Sequence, residues 1–339
     1  MSSSRKEAHV QLALHGPVGF RSKTSGFETI DLPYSALPEL NYADVHTSTT
    51  WLNYTLGLPL IVTGMTGGYP DAERINGQLA EACAEVGVAL GVGSMRSVLD
   101  DPRHASTFSV VKGAAGTIPI LANLGAVQVA RSHRQQTLQR TLDHVVSLVD
   151  AAAVAIHLNP LQELMQTEGE PEYAGVLDAI AAAVQHSPVP VVVKEVGAGI
   201  SGRVARQLAS VGVHMIDVAG AGGTSWAGIE ILRRDDPDAA EAFWDVGWST
   251  VDCLRQVVGT VPTVIASGGL SSGTDLAKAL ALGAKIGGVA RPVLQALEHG
   301  GISGVVSLLH NWRTDLRRWL FLTGSPSLND FVSILHRAD

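Results

Sequence analysis

Residues 263–292 read TVIASGGLSSGTDLAKALALGAKIGGVARP. The stretch opens on a short apolar run, Thr263–Ala266, that breaks at Ser267-Gly268-Gly269. Helical periodicity follows over Thr274–Leu282, and a second apolar run, Ile286–Ala290, closes it. Strand, loop, helix and strand within roughly 30 residues make one βαβ unit, whose strands pair in parallel with a right-handed crossover.

Working back along the chain, six more apolar runs precede this unit. They are Leu58–Thr63, Val88–Val92, Ile118–Leu121, Val154–Leu158, Val189–Lys194 and Met215–Val218. Each is nearly continuous in hydrophobicity, as strands buried on both faces should be. Helical patterns separate them at Ala72–Glu85, Gln135–Val149, Tyr173–Gln185, Gly202–Ala209 and Thr250–Val257. A doubly wound open sheet also alternates strand and helix. Eight units favour closure into a barrel, and the unusual polar, Gly-rich loops all follow strand ends. A barrel gathers such loops on one face, where active sites are built.

The expected fold is therefore α/β, a single (β/α)8 TIM barrel spanning 1–339. An irregular arm occupies 1–55, the barrel 56–310, and a C-terminal helical cap 311–339. Trp226–Trp244 reads as an insertion with a charged centre. A barrel needs about 250 residues, so 339 leaves room for both terminal extensions. With 46% apolar and 17% charged residues the chain is suited to a large core and not to disorder. The net charge of −8 offers nucleic acid no basic face. No apolar segment follows the polar start Met1-Ser2-Ser3-Ser4, and no run approaches the roughly 18 residues of a membrane span. A cytoplasmic location is expected. Cys83 and Cys253 lie in helical patterns and suit neither a disulfide framework nor a metal site.

The strand-end loops carry the candidate chemistry. Between the last two strands a (β/α)8 barrel commonly seats a phosphate on backbone N–H groups at a helix N-terminus. Gly268, Gly269, Ala290 and Arg291 fall there, with Arg291 expected as a fixed cation, and Thr224 adds a hydroxyl from the loop after the sixth strand. The glycines alone are equally explained as tight turns. Lys194 ends a valine-rich strand, and a lysine aimed into a barrel mouth needs an anion or ligand. Beside a flavin it would stabilise the anionic reduced ring; otherwise it would pair with Glu195 or Glu163. A single carboxylate such as Glu163, with substrate phosphates, is a common way to hold Mg2+. His157 alone would be read as a core histidine, and Arg5, Lys6 and His9 as a solvated terminal run.

Taken together, these pieces resemble the type 2 isopentenyl-diphosphate isomerases. The likeness runs from Arg5-Lys6 and His9 through Met65-Thr66-Gly67-Gly68 and Ser94-Met95-Arg96. It continues with His157-Leu158-Asn159, Gln162-Glu163, Lys194-Glu195, Gly222-Gly223-Thr224-Ser225-Trp226 and Ser267-Gly268-Gly269. The resemblance implies an FMN enzyme, kept reduced by NADPH and requiring Mg2+, that interconverts isopentenyl and dimethylallyl diphosphate. It implies a homo-oligomer, a tetramer or octamer. By that likeness Met65, Thr66, Gly67, Ser94, Asn123, Lys194 and Thr224 surround the flavin, and Gly268, Gly269, Ala290 and Arg291 take its phosphate. Arg5, Lys6, His9, Ser94, Met95, Arg96 and Asn159 hold the substrate. Gln162 faces the alkene with His157 as the second catalytic residue, and Glu163 binds the metal. Glu170, where the family commonly has Asp, and Ala219, where it often has Ser, are departures.

Four alternatives compete with this reading. An α-hydroxy-acid oxidase needs a His base and an Arg after the seventh strand, and Ser267–Gly273 has neither. An IMP-dehydrogenase-like enzyme needs a cysteine in the loop Gly222–Trp226, which has none. A non-catalytic flavin-binding barrel and a paralogue using another prenyl diphosphate are the other two.

Overall fold

The computed structural model describes residues 2–114, 116–332 and 334–336. The chain forms an antiparallel hairpin, β1 (Thr49–Trp51) and β2 (Tyr54–Leu56), and then the eight barrel strands. These are β3 (Leu60–Val62), β4 (Ala89–Gly91), β5 (Ile120–Gly125), β6 (Ala153–His157), β7 (Val191–Lys194), β8 (Met215–Asp217), β9 (Thr263–Ser267) and β10 (Ile286–Val289). Each matches one expected apolar run. They pair in parallel in chain order, and β10 closes on β3 with Gly288 opposite Ile61. Apolar runs buried on both sides, joined by helices that cover the outer face, produce this closure.

The arm is not irregular, as the sequence suggested. It opens with a helix, Ser2–His15, in which Val10 and Leu14 are buried. So sparse an apolar face gives little periodic signal. The hairpin was missed for a different reason. Its turn places Leu52 and Asn53 at φ 50° and 65°. That is the mirror-image turn usually marked by Asn-Gly or Asp-Gly. Trp51 and Leu56 pack into the barrel floor against one residue from every barrel strand: Ile61, Ala89, Leu121, Ala153, Val192, Met215, Ile265 and Ile286. The hairpin thus seals the end opposite the loops.

The C-terminal region also departs from expectation. A helix running Arg291–Leu322, kinked at Gly301, crosses the expected boundary at 310/311. It packs along the outer helices Ala72–Val86 and Gly273–Ala281. Residues 333 and 337–339 of the expected tail lie outside the described residues. The insertion forms a helix, Trp226–Leu232, and a 3-10 turn, Asp238–Phe243. The arm helix packs against Trp226–Leu232 on one side and the start of Arg291–Leu322 on the other. Among the described residues no helix is long and apolar enough to cross a membrane.

Candidate active site

A cavity of about 520 Å³ opens at the C-terminal ends of the strands. Arg5, Lys6, His9, Met65, Thr66, Gly67, Ser94, Arg96, Asn123, His157, Asn159, Gln162, Glu163, Lys194, Thr224, Gly268, Gly269, Ala290 and Arg291 all line it. The exception is Met95, which is fully buried in the core beside Val92 and Val98 and does not reach the cavity. The expected contact of Met95 with substrate is thereby withdrawn. Its place at the tight start of the helix Arg96–Asp100 turns its side chain inward, towards apolar surface.

One wall is cationic. Lys6 Nζ donates to Ser94 O and Ser97 Oγ, each at 3.0 Å, and lies 5.5 Å from the centre of the Phe108 ring. Burial, reinforced by the charge of Arg5, brings its pKa down to about 7. The arm helix therefore brings Arg5, Lys6 and His9 to the cavity wall, where they are no solvated charge run.

His157 sits deeper. Asn123 Nδ2 donates to Val92 O at 3.0 Å, so Asn123 Oδ1 must accept from its partner, His157 Nδ1, 2.8 Å away. The proton of the neutral ring is thus on Nδ1, and Nε2 keeps its lone pair. Burial, then the charges of Lys194 and Lys6, lowers the His157 pKa to about 3. Such a ring is neutral at pH 7 and does not act there as a charged acid.

Lys194 donates to the backbone carbonyl of Glu195 and not to a carboxylate. The Glu195 carboxylate is turned away and accepts the N–H groups of Val196, Gly197, Ala198 and Gly199. The alternative pairing of Lys194 with Glu195 or Glu163 is not formed. Glu163 is buried, accepting from Asn159 Nδ2 at 3.0 Å and from Glu170 N at 2.8 Å. Among the described residues no three His, Cys, Asp or Glu side chains converge on a metal position. The donor set fits a Mg2+ held by one carboxylate and completed by phosphate oxygens and water.

Gly268 and Gly269, at φ 100° and 77°, belong to the left-handed region that favours glycine. A Cβ on Gly268 would stand 2.0 Å from Gly220 O, and one on Gly223 2.6 Å from Gly269 N. The loops after β8 and β9 therefore interlock through backbone contact. Ser267 Oγ donates to the buried Asp217 at 2.6 Å, a further tie between those strands that sequence reading did not single out. Arg291 behaves differently from expectation. Its guanidinium donates to Ala13 O and Gly16 O at 2.7 and 3.1 Å, holding the C-terminal end of the arm helix. It is held by the arm, and its helix start offers few backbone N–H groups to an anion, since Pro292 has none and those of Val293 and Leu294 donate to Ala290 O at 3.0 and 3.1 Å.

The other residue missed is Glu230, 1% exposed, on the inserted helix. It accepts from Gln162 Nε2 at 3.0 Å, lies 2.9 Å from His9 Nε2 and pairs with Arg233. Burial alone would raise its pKa. Hydrogen bonds from His9 and Gln162 and the charges of His9 and Arg233 outweigh burial and hold the carboxyl below its ordinary range. One available signal was a lone acid inside the apolar run Trp226-Ala227-Gly228-Ile229-Glu230-Ile231-Leu232.

FMN fits this cavity. Thr66 Oγ1 lines it, buried and without a hydrogen-bond partner, and Lys194, Asn123 and the glycine cradle surround the same space. Fold and site define an FMN-binding (β/α)8 enzyme. Residues 121–337 match the family described as FMN-dependent dehydrogenase. Mandelate oxidase, solved with benzoyl-formic acid, superposes with a TM-score of 0.64 over 97% of this chain and 96% of its own; at 20% identity the likeness is one of fold.

Within that class the chain belongs to the isopentenyl-diphosphate delta-isomerases. The protein of that name from Vibrio campbellii is 42% identical over 331 residues, covering 96% of each chain. The one from Chlorobium phaeobacteroides is 40% identical over 96% of this chain and 92% of its own, and that from Methanothermobacter thermautotrophicus 40% over 97% and 91%.

Proposed function

We propose that this protein interconverts isopentenyl diphosphate and dimethylallyl diphosphate by a 1,3 proton shift, with reduced FMN and Mg2+. The observation that carries the reading is Gln162, hydrogen-bonded to buried Glu230 in a cavity also lined by Arg5, Lys6, Arg96 and Glu163. Such a site offers one end to a diphosphate and the other to a neutral alkene.

Arg5, Lys6 and Arg96 hold the diphosphate, so binding energy from the tail positions the alkene. Lys6, with its pKa near 7, takes up a proton as the anion arrives. Glu163 would hold Mg2+, which would supply charge to neutralise the diphosphate. Gln162 faces the alkene, oriented by Glu230 at one amide atom and by Asn159 Nδ2 at the other, 3.2 Å away. His157 serves as a neutral hydrogen-bonding group whose tautomer Asn123 sets. Reduced FMN supplies an electron-rich ring that stabilises positive charge developing on the substrate. Lys194 matches negative charge on that ring. NADPH as reductant, a homo-oligomer of four or eight chains and a cytoplasmic location belong to the same reading.

The test is anaerobic reduction of the purified protein with NADPH, then isopentenyl diphosphate and Mg2+ in heavy water, followed by NMR. Dimethylallyl diphosphate carrying deuterium is the expected product. A reducible flavoprotein that forms no product would exclude this substrate and point to a different prenyl diphosphate.

A further inference from the structure

Glu170 lies in the loop after β6 and makes three contacts with different consequences. Its Oε1 accepts from Arg96 Nη2 at 2.9 Å, and its Oε2 accepts from Arg131 Nη2 at 2.9 Å. Its backbone N–H donates to Glu163 Oε2 at 2.8 Å. One residue therefore holds an arginine of the cationic wall with its side chain and the metal-binding carboxylate with its backbone. The loop has little freedom beneath it, because a Cβ on Gly169 would stand 1.9 Å from Glu163 O.

The bridge contributes orientation more than stability. Exposed ion pairs add little to the stability of a fold, and Arg131 is 40% exposed. Arg96 commits one Nη2–H to Glu170 and keeps the rest of its fork for another anion. Its other acidic neighbour is Asp100, 3.7 Å away on its own helix and 66% exposed. Without Glu170 that neighbour would draw the guanidinium outward.

We infer that Glu170 is a positioning residue that aims Arg96 at the substrate diphosphate and Glu163 at Mg2+. The inference rests on the reading of Arg96 and Glu163 given above. Outer groups that orient a ligand-binding side chain typically change affinity by roughly 10- to 100-fold when removed.

The experiment is calorimetric titration of the oxidised FMN holoenzyme with isopentenyl diphosphate at several MgCl2 concentrations, paired with steady-state rates of the reduced enzyme. Glu170→Gln is expected to weaken isopentenyl diphosphate binding and raise the Mg2+ requirement by about tenfold or more, with KM affected more than kcat. Glu170→Asp, one methylene shorter, keeps a carboxylate and falls between the two. Arg131→Gln, which removes only the outer anchor, shifts the constants in the same direction and less, and it serves should Glu170→Gln not fold. Arg96→Ala is the control for the underlying reading. Unchanged binding by Arg96→Ala would overturn that reading and this inference with it. Weakened binding by Arg96→Ala, with Glu170→Gln and Arg131→Gln binding as tightly as the parent or more so, would overturn the role of Glu170 alone.

Discussion

Gln162 Nε2 donates a 3.0 Å hydrogen bond to Glu230 Oε1, joining the loop after β6 to the helix inserted after β8. Neither side chain could orient the other without the fold, since 68 residues separate them. Glu230 also meets His9 from the arm, so three distant segments converge on one buried carboxylate.

Glu230→Gln should therefore lower kcat by about 100-fold, the effect expected of a misaligned reacting group, with a smaller change in KM. Steady-state isomerisation measures both. Because the folded carboxyl has a depressed pKa, the parent has a stability contribution above the ordinary carboxylate range that is lost as pH falls through the folded value. Thermal melts across acidic pH should show a shallower loss in Glu230→Gln.

Lys194→Met removes a cation from the cavity wall. The midpoint potential of bound FMN should fall, because the anionic reduced ring loses its counter-charge. Isomerisation should fall by about 100-fold or more, as when one preorganised electrostatic group is removed. A potential unchanged from the parent would show that Lys194 does not face the flavin.

His157 has its pKa lowered from 6.5 to about 3. The unfolded chain binds that proton between these values and the folded chain does not. Stability from this group is thus complete above pH 6.5 and declines as pH falls toward 3. His157→Gln, which does not titrate, should lose less stability over that window in pH-dependent thermal melts.

Gly268→Ala should yield protein that purifies with little flavin. The substitution places a Cβ 2.0 Å from Gly220 O at φ 100°. Backbone strain of this sort costs about 1–3 kcal/mol, and the loops after β8 and β9 must part to accept it. Flavin absorbance per mole of purified protein gives the readout.

Trp51→Ala addresses the opposite end of the barrel. Loss of a buried tryptophan costs about 3–5 kcal/mol, and Trp51 packs in the floor cluster, away from the cavity. Denaturant unfolding should show the loss, while KM and kcat at temperatures where the protein is folded stay near the parent's.

The primary sequence was sufficient for the barrel, because strands buried on both faces and outward helices leave one-dimensional patterns of period and length. Lys194 and the glycine pair stood out because they lie at strand ends, whereas Gln162 and Glu163, on the helix Pro160–Met165, stood out only through the family likeness. What the chain did not reveal is what depends on distant segments meeting. Glu230 is an ordinary acid of an insertion until the helix Trp226–Leu232 turns it toward Gln162 and His9. Arg291 has the position of a phosphate-binding cation until the arm helix presents it with carbonyls. Met95 stands between two cavity residues in sequence and points into the core. Periodicity records which face of an element is apolar; the partner of a polar side chain is chosen by packing in three dimensions, and burial then makes that partner obligatory.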